Sequence, residues 1–161
     1  PQSFVPVINI DNKSFTQSLS IIEYLNETRG LDLLPKDHAK RARVTALAYA
    51  IAIDIHPICN LSVSSYAEEI SGEKNYKQKW MKKFIGPGLE AFEKLLEDFP
   101  KGSYSVGDTP SLPDICLIPQ IYNAMRWEVD IAHLSRINSI IQSCNKHPAF
   151  INAHPDFFKP S

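Results

Sequence analysis

Residues 5–11 read VPVINID and are followed by Asn12. The apolar and β-branched residues of 4–10 favour an extended strand, whereas Asp11 and Asn12 supply turn chemistry. Residues 13–16 then resume a short extended run. The sequence therefore predicts a β-hairpin.

A helix is predicted directly after the hairpin. Apolar residues recur at helical spacing from Ser18, and this pattern ends near Gly30. The segment 30–37 contains Leu33-Leu34-Pro35 and is predicted to be a linker that docks through its leucines. Two strands and one helix thus precede the rest of the chain.

No strand is predicted beyond the linker. Pro57 should bend the first long helix by removing a backbone hydrogen bond, and Gly86-Pro87-Gly88 should break or kink the second. The predicted helices cover residues 38–67, 73–99, 111–127 and 134–146. The predicted domains are a strand-containing part at 1–29, a linker at 30–37 and an all-α domain at 38–161.

The composition is that of a folded cytosolic protein. The chain has 161 residues, 43% of them hydrophobic, and a formal net charge of −1 that argues against a general polyanion binder. Three cysteines form no Cys-x-x-Cys pair, so no disulfide framework or zinc site is indicated and a reducing compartment is expected. No apolar run approaches the ~20 residues that cross a bilayer, so no membrane contact is predicted. Because the chain opens on Pro1, we expect a fragment, a processed form or an incomplete chain.

Two other kinds of site are not supported. Lysines around Trp80 suggest a nucleic-acid patch, but Trp80 and Phe84 are four residues apart and should share a buried face. The lysines then occupy the solvated side, and acidic residues follow from Glu90. The five histidines show no paired spacing for metal ligands. We therefore predict neither nucleic-acid binding nor a metal site.

The third predicted helix opens with a capping signal. Ser111 is followed three residues later by Asp114, with Pro113 in the first turn. The serine hydroxyl can cap one free amide while the carboxylate reaches back to another. This pattern favours a structural role for Ser111 and Asp114.

A series of short motifs extends along the chain. They are Val5-Pro6, residues 17–25, Asp54-Ile55-His56-Pro57, Val106-Gly107-Asp108, Leu112-Pro113-Asp114, Pro119-Gln120, Asn123-Ala124-Met125-Arg126, Pro148-Ala149-Phe150 and Ala153-His154-Pro155. Together they resemble the zeta class of glutathione transferases, the family of maleylacetoacetate and maleylpyruvate isomerases, over essentially the whole chain. The resemblance implies an α+β fold. A β-hairpin and one helix of a thioredoxin-like domain would precede an all-α glutathione transferase C-terminal domain.

The resemblance implies a glutathione site at the start of the chain. Pro6 would be a cis-proline that turns the backbone of Val5 outward to pair with the cysteinyl part of glutathione. Ser18 and Gln17 would hold the γ-glutamyl part at a helix N-terminus, and His56 would face the cleft. The residues alone leave plainer alternatives open: a trans-proline at a sheet edge, a helix cap at Ser18 and a structural or solvent-facing histidine.

The resemblance assigns the substrate to Arg126. A guanidinium near the end of an apolar helix could hold a dicarboxylate substrate through two parallel hydrogen bonds. The alternative is a charge that interacts favourably with the C-terminal end of the helix dipole.

The reaction implied is glutathione-dependent cis-trans isomerisation of maleylacetoacetate to fumarylacetoacetate, in aromatic amino-acid catabolism. It proceeds by thiolate addition, bond rotation and elimination. The family's serine- and cysteine-bearing motif has no counterpart here, so no catalytic residue is assigned. Two alternatives remain: a maleylpyruvate isomerase or general glutathione transferase, and a shortened non-catalytic module. A homodimer is expected for the parent protein. The face formed by residues 46–55 is either the contact between the two copies or part of the core of one copy.

Overall fold

The computed structural model describes residues 5–158, and Phe4 of the predicted strand lies outside that range. The strands are β1 (Val7–Ile10) and β2 (Lys13–Thr16). The helices are α1 (Ser18–Arg29), α2 (His38–Ala52), α3 (Leu61–Ser71), α4 (Tyr76–Leu95), α5 (Leu112–Arg126), α6 (Ser135–Cys144) and α7 (Pro148–Asn152). Two short 3-10 helices cover Leu96–Asp98 and Pro155–Phe158.

The predicted hairpin is confirmed. Its antiparallel register pairs Val7 with Thr16 and Ile10 with Lys13, which leaves Asp11 and Asn12 as the connection. These two residues have φ angles of 52° and 57°. Positive φ at both central positions is typical of the tight turn that matches the twist of a hairpin, and Asp and Asn tolerate it well.

The interruption predicted at Pro57 is present, but the prediction of one bent helix over residues 38–67 is wrong, because two helices flank a turn. Helix α2 ends at Ala52, and α3 starts at Leu61 after a turn that contains Pro57. Asn60 caps α3, since its side chain accepts a hydrogen bond of 3.1 Å from the backbone N–H of Ser62. A proline disfavours helical geometry in the residue before it, and the Asn60 cap begins a new helix instead.

Of the break or kink predicted at Gly86-Pro87-Gly88, the break is wrong. Helix α4 is continuous through Pro87. Pro87 is exposed, so the carbonyl that loses its partner one turn earlier lies on the side of the helix that water reaches. A β-carbon at Gly88 would lie 2.6 Å from the Ile55 side chain. Gly88 therefore permits close packing against the turn after α2.

Helix α4 supplies the centre of the main core. Met81, Ile85, Leu89 and Phe92 are fully buried at helical spacing. They pack with apolar residues of α2, α5 and α6 in one cluster. Burial of this face, more than helix propensity, stabilises the helical part of the chain.

A second cluster joins the first helix to the helical part. Leu34 of the linker is buried with Val44 of α2 and Leu112 of α5, and Leu19 and Ile22 of α1 pack against them. The linker therefore docks through a leucine, as predicted. Hydrogen bonds add to this packing: the backbone N–H of residue 33 donates to a side-chain oxygen of α1 at 2.7 Å, and its carbonyl accepts from α5 at 3.0 Å.

Candidate functional site

The backbone at Val5 is presented to solvent. The Val5–Pro6 peptide bond is cis, the geometry that the resemblance implies for Pro6. Val5 is 92% exposed, and the hairpin pairing starts only at Val7. An exposed segment beside a strand can offer its main-chain groups to a peptide, much as a neighbouring strand would. Binding of glutathione by Val5 stays a prediction.

Helix α1 starts at Ser18 as predicted, but Ser18 is not its cap. Ser18 is the first helical residue, and Gln17 is the N-cap, with no side-chain hydrogen bond to the helix. The reason is the backbone at Gln17, whose φ of 68° and ψ of 113° turn the chain into the helix. Positive φ at a non-glycine residue is uncommon and is concentrated at functional sites.

The first turn of α1 can bind an anion. The first intrahelical bond runs from the backbone N–H of Ile21 to the carbonyl of Gln17. The N–H groups of residues 18–20 therefore point out of the helix end, where the helix dipole favours negative charge. Both Gln17 and Ser18 are exposed beside them. This arrangement fits a carboxylate ligand.

His56 lies in the turn between α2 and α3, not in a helix. It is exposed, and its backbone N–H donates to the carbonyl of Ile51 at 3.0 Å. The turn is also held by Trp80, whose indole N–H donates to the carbonyl of Ile58 at 2.9 Å. The imidazole is thus available to a ligand on a turn that α4 supports.

Arg126 ends α5 with its side chain exposed. Its Cζ lies 5.8 Å from the ring centre of Trp127. Within residues 5–158 its guanidinium makes no ion pair. A free guanidinium at a helix end can accept a carboxylate in a two-point contact.

Asp114 fixes the start of the helix that carries Arg126. Its carboxylate is fully buried and accepts four hydrogen bonds of 2.7–2.8 Å, from the N–H and hydroxyl groups of Ser105 and Ser111. The capping box predicted at Ser111 and Asp114 is present. A buried charge held by four donors positions α5 firmly relative to the preceding loop.

Arg136 supports the loop that precedes α5, and no pattern in the sequence predicted this role. Its guanidinium donates to the backbone carbonyls of Leu96, Phe99, Pro100 and Ser105. Burial lowers the pKa of Arg136. No local pattern identifies such a residue, because its partners lie 31 to 40 positions earlier.

The cysteines of this chain are not reactive thiols. Burial raises the pKa of Cys59 to about 11. Burial, with the nearby Asp114 carboxylate, raises the pKa of Cys116 and of Cys144 to about 12. Since the thiolate is the nucleophilic form, none of the three is an effective nucleophile at neutral pH.

The predicted site residues line neither of two depressions on the described part of the chain. A depression of about 410 Å³ lies at the hairpin turn, and one of about 190 Å³ lies between α1 and α2. Ser18, His56 and Arg126 line neither of them. Over residues 5–158, no helix has the length and apolar character needed to span a membrane. Nor does that part of the chain contain a cluster of three or more side chains able to hold a metal ion.

Comparison with known proteins identifies relatives over nearly the whole chain. The maleylacetoacetate isomerase of Rhizobium meliloti is 49% identical over 162 residues, which cover 99% of this chain and 76% of that protein. The holo structure of a bacterial zeta-class maleylpyruvate isomerase has a TM-score of 0.91 at 37% identity, covering 96% of this chain and 74% of that one. No family model matches the chain.

A further solved structure is informative about ligands. The maleylacetoacetate isomerase of Anaeromyxobacter dehalogenans has a TM-score of 0.88 at 34% identity, covering 96% of this chain and 71% of that one. It holds dicarboxyethyl glutathione and citrate in its active site.

The fold and these matches define a glutathione transferase, with part of a thioredoxin-like domain followed by a helical C-terminal domain. The chain belongs to the maleylacetoacetate isomerase family, the zeta class of these enzymes.

Proposed function

We propose that this protein is a glutathione-dependent isomerase that converts maleylacetoacetate to fumarylacetoacetate. The observation that carries the proposal is the 49% identity to a maleylacetoacetate isomerase over 99% of the chain. The geometry is compatible with it, because one element offers an anion-binding helix end and another an exposed guanidinium.

Glutathione fits the residues at the start of the chain. Val5 offers main-chain groups for the cysteinyl part, and the first amides of α1, with Gln17 and Ser18, suit the γ-glutamyl carboxylate. His56 adds a donor or acceptor from the turn after α2. When bound, glutathione supplies the thiolate that adds to the conjugated double bond, which allows rotation before elimination.

The residues of this chain bind and orient. Arg126 holds a substrate carboxylate and so fixes the position of the reacting double bond. The same positive charge stabilises the negative charge that develops on the substrate when the thiolate adds. Because all three cysteines have raised pKa values, none of them competes with the glutathione thiol as nucleophile.

Maleylpyruvate is the second candidate substrate. The similarity to a zeta-class maleylpyruvate isomerase, at a TM-score of 0.91, supports it. Both substrates carry one carboxylate on a cis double bond and a second carboxylate at the end of a keto chain, so Arg126 would serve either. The ratio of kcat/KM for the two compounds assigns the preferred one.

We further propose the domain limits and the assembly. The thioredoxin-like part ends at residue 29, residues 30–37 link it to the helical domain, and the helical domain covers 38–161. The docking of Leu34 between α2 and α5 supports this division. The protein would act in the cytoplasm as a homodimer. Exposed Tyr49 and Ile53, on or just after α2, support a contact between copies at residues 46–55.

The test is glutathione-dependent turnover of maleylacetone by the full-length protein. We expect Arg126→Leu to raise KM for maleylacetone about 10- to 100-fold, because a charged two-point hydrogen bond is lost. Ser18→Ala should instead raise KM for glutathione. Arg43→Leu is the matched control, since Arg43 is also exposed and lies 5.3 Å from the ring centre of Phe99.

Three results would argue against the proposal. Absence of glutathione-dependent turnover would favour a non-catalytic binding module. Equal effects of the substitutions at Arg126 and Arg43 would remove Arg126 from the substrate site. A preference for maleylpyruvate would replace the substrate while keeping the reaction type.

A further inference from the structure

The guanidinium of Arg126 lies over an aromatic ring. Its Cζ lies 5.8 Å from the ring centre of Trp127, within the range of a cation–π contact. Within residues 5–158 no hydrogen bond or ion pair occupies the guanidinium. The N–H groups at its edge stay available, and these are the groups that bind a carboxylate at two points.

The indole of Trp127 is itself held in place. Its Nε1–H donates to Oδ1 of Asn123, one turn earlier on α5, at 3.1 Å. The ring is half-buried and packs against the main core. One edge of the ring is therefore fixed by a hydrogen bond and its body by apolar packing. The Trp127 ring therefore gives the flexible side chain of Arg126 a rigid support.

The carboxylate of Glu128, which follows Trp127, contacts α4 and not Arg126. Glu128 has a φ of 54°, which turns the backbone out of α5. Its carboxylate accepts a hydrogen bond of 2.8 Å from Gln78 and lies 3.6 Å from the ammonium of Lys82, both on α4. The acidic group two residues from Arg126 is thus partnered on another helix. No carboxylate within residues 5–158 pairs with Arg126.

We propose that Trp127 is a positioning residue for substrate binding: with Asn123 behind it, its ring orients the Arg126 guanidinium so that its edge meets a substrate carboxylate. This inference rests on the proposed function, because it takes Arg126 as the carboxylate-binding residue. It adds a residue that acts through another one and does not itself touch the substrate.

The first experiment measures binding of succinate, a non-reacting dicarboxylate, to the full-length protein at saturating glutathione. A cation–π contact at an exposed site corresponds to a change of about 2- to 5-fold in affinity. We expect Trp127→Leu to weaken succinate binding by that factor and to raise KM for maleylacetone similarly, with little change in kcat. Trp127→Phe keeps a ring and should restore most of the affinity.

Two further variants separate positioning from folding. Phe150→Leu is the matched control: Phe150 is also an aromatic residue half-buried against the core, but within residues 5–158 its ring contact is with His147 and not with an arginine. It should leave the succinate affinity unchanged. If Trp127→Leu does not fold, Asn123→Ala tests the same support by freeing the indole, and it should weaken succinate binding in the same direction.

A double-substitution cycle gives the sharpest reading. In an Arg126→Leu background, Trp127→Leu should have no further effect on succinate affinity, because the residue through which it acts is gone. A spectroscopic signal follows too: Trp80→Phe leaves Trp127 as the single tryptophan of this chain, and succinate should change its fluorescence only while Arg126 is present.

The outcomes separate this inference from the proposed function. The unsubstituted protein could lack turnover while Trp127→Leu still weakens succinate binding only when Arg126 is present. That result would overturn the isomerase assignment and support the inference. Full turnover with additive effects of the two substitutions, or an unchanged succinate affinity in Trp127→Leu, would overturn the inference alone.

Discussion

Asp11 ties the hairpin turn to the first helix. Its carboxylate accepts a hydrogen bond of 2.6 Å from the hydroxyl of Tyr24 and lies 2.7 Å from the guanidinium of Arg29. The hydrogen bond from Tyr24 and then that from Arg29 lower the pKa of Asp11. The same contact raises the pKa of Tyr24. Both partners lie on α1, so the hairpin is held by side chains in addition to its backbone pairing.

These pKa shifts predict a pH window for the contact. A carboxyl whose pKa is lowered on folding stabilises the fold above its unfolded pKa of about 4. The effect is lost as pH falls through the folded pKa. A phenol whose pKa is raised stabilises the fold below about 10, and the effect is lost as pH rises further. Tyr24→Phe should raise the titration midpoint of Asp11, measured by NMR of its carboxyl carbon.

The control for that titration is Tyr66→Phe, which removes an exposed hydroxyl from α3. It should leave the Asp11 midpoint in place. A midpoint that stays the same in Tyr24→Phe would show that the hydrogen bond contributes nothing in solution.

Helix α4 contains two glycines whose surroundings differ. A β-carbon at Gly86 would meet only a side-chain atom of Val129, at an ordinary contact distance of 3.7 Å. A β-carbon at Gly88 would lie 2.6 Å from two atoms of Ile55, which is itself buried. Both positions are helical, so the same substitution tests local backbone preference before Pro87 at one site and packing against Ile55 at the other.

We expect Gly86→Ala to change the stability by less than about 1 kcal/mol, because the lower entropy cost of alanine in a helix is opposed by the clash of its β-carbon with the ring of Pro87. Gly88→Ala should destabilise it by about 1 kcal/mol or more, since overpacking outweighs that gain. The free energy of unfolding in urea measures both. Equal effects of the two substitutions would mean that the Ile55 side chain moves aside freely.

The ends of the helices show where sequence patterns mislead. Ile51, Ile55 and Cys59 are four residues apart and all buried, as one face of a helix would be. Only Ile51 lies in α2, and the other two lie in the turn. This spacing by itself is compatible with a helix through Pro57. Burial of turn residues in the core imitates helical periodicity, and only the packing separates the two cases.

At the scale of the molecule, Leu34 is the apolar residue of the linker that joins α1 to the helical domain. It is 9% exposed and packs with α2 and α5. Leu34→Ala should cost about 2–5 kcal/mol of stability, the usual loss for a buried leucine. The opening should be local, so amide hydrogen exchange should accelerate in α1 before it does in α4.

Leu31→Ala is the comparison, because Leu31 lies in the same linker and is 49% exposed. It should change the stability by less than about 0.5 kcal/mol. If exchange accelerated equally in α1 and α4 for Leu34→Ala, the two parts of the chain would unfold as one unit.

Much of the fold was predictable, because its signals are local. The turn at Asp11 and Asn12, the end of α1 at Gly30 and the capping box at Ser111 each depend on residues a few positions apart. The candidate site was less accessible. Sequence selected the helix start near Ser18, but the positive φ that makes Gln17 the cap arises where the chain leaves the strand and enters the helix.

Local sequence was sufficient for the hairpin, the linker leucine and the helix caps, since their hydrogen bonds and side-chain preferences operate within one or two turns. Tertiary structure decided where α2 ends and why position 88 requires a glycine. It also decided which backbone carbonyls accept hydrogen bonds from Arg136. It also placed Trp127 against the core beneath Arg126. Those features depend on contacts between residues far apart in the chain, which no short pattern encodes.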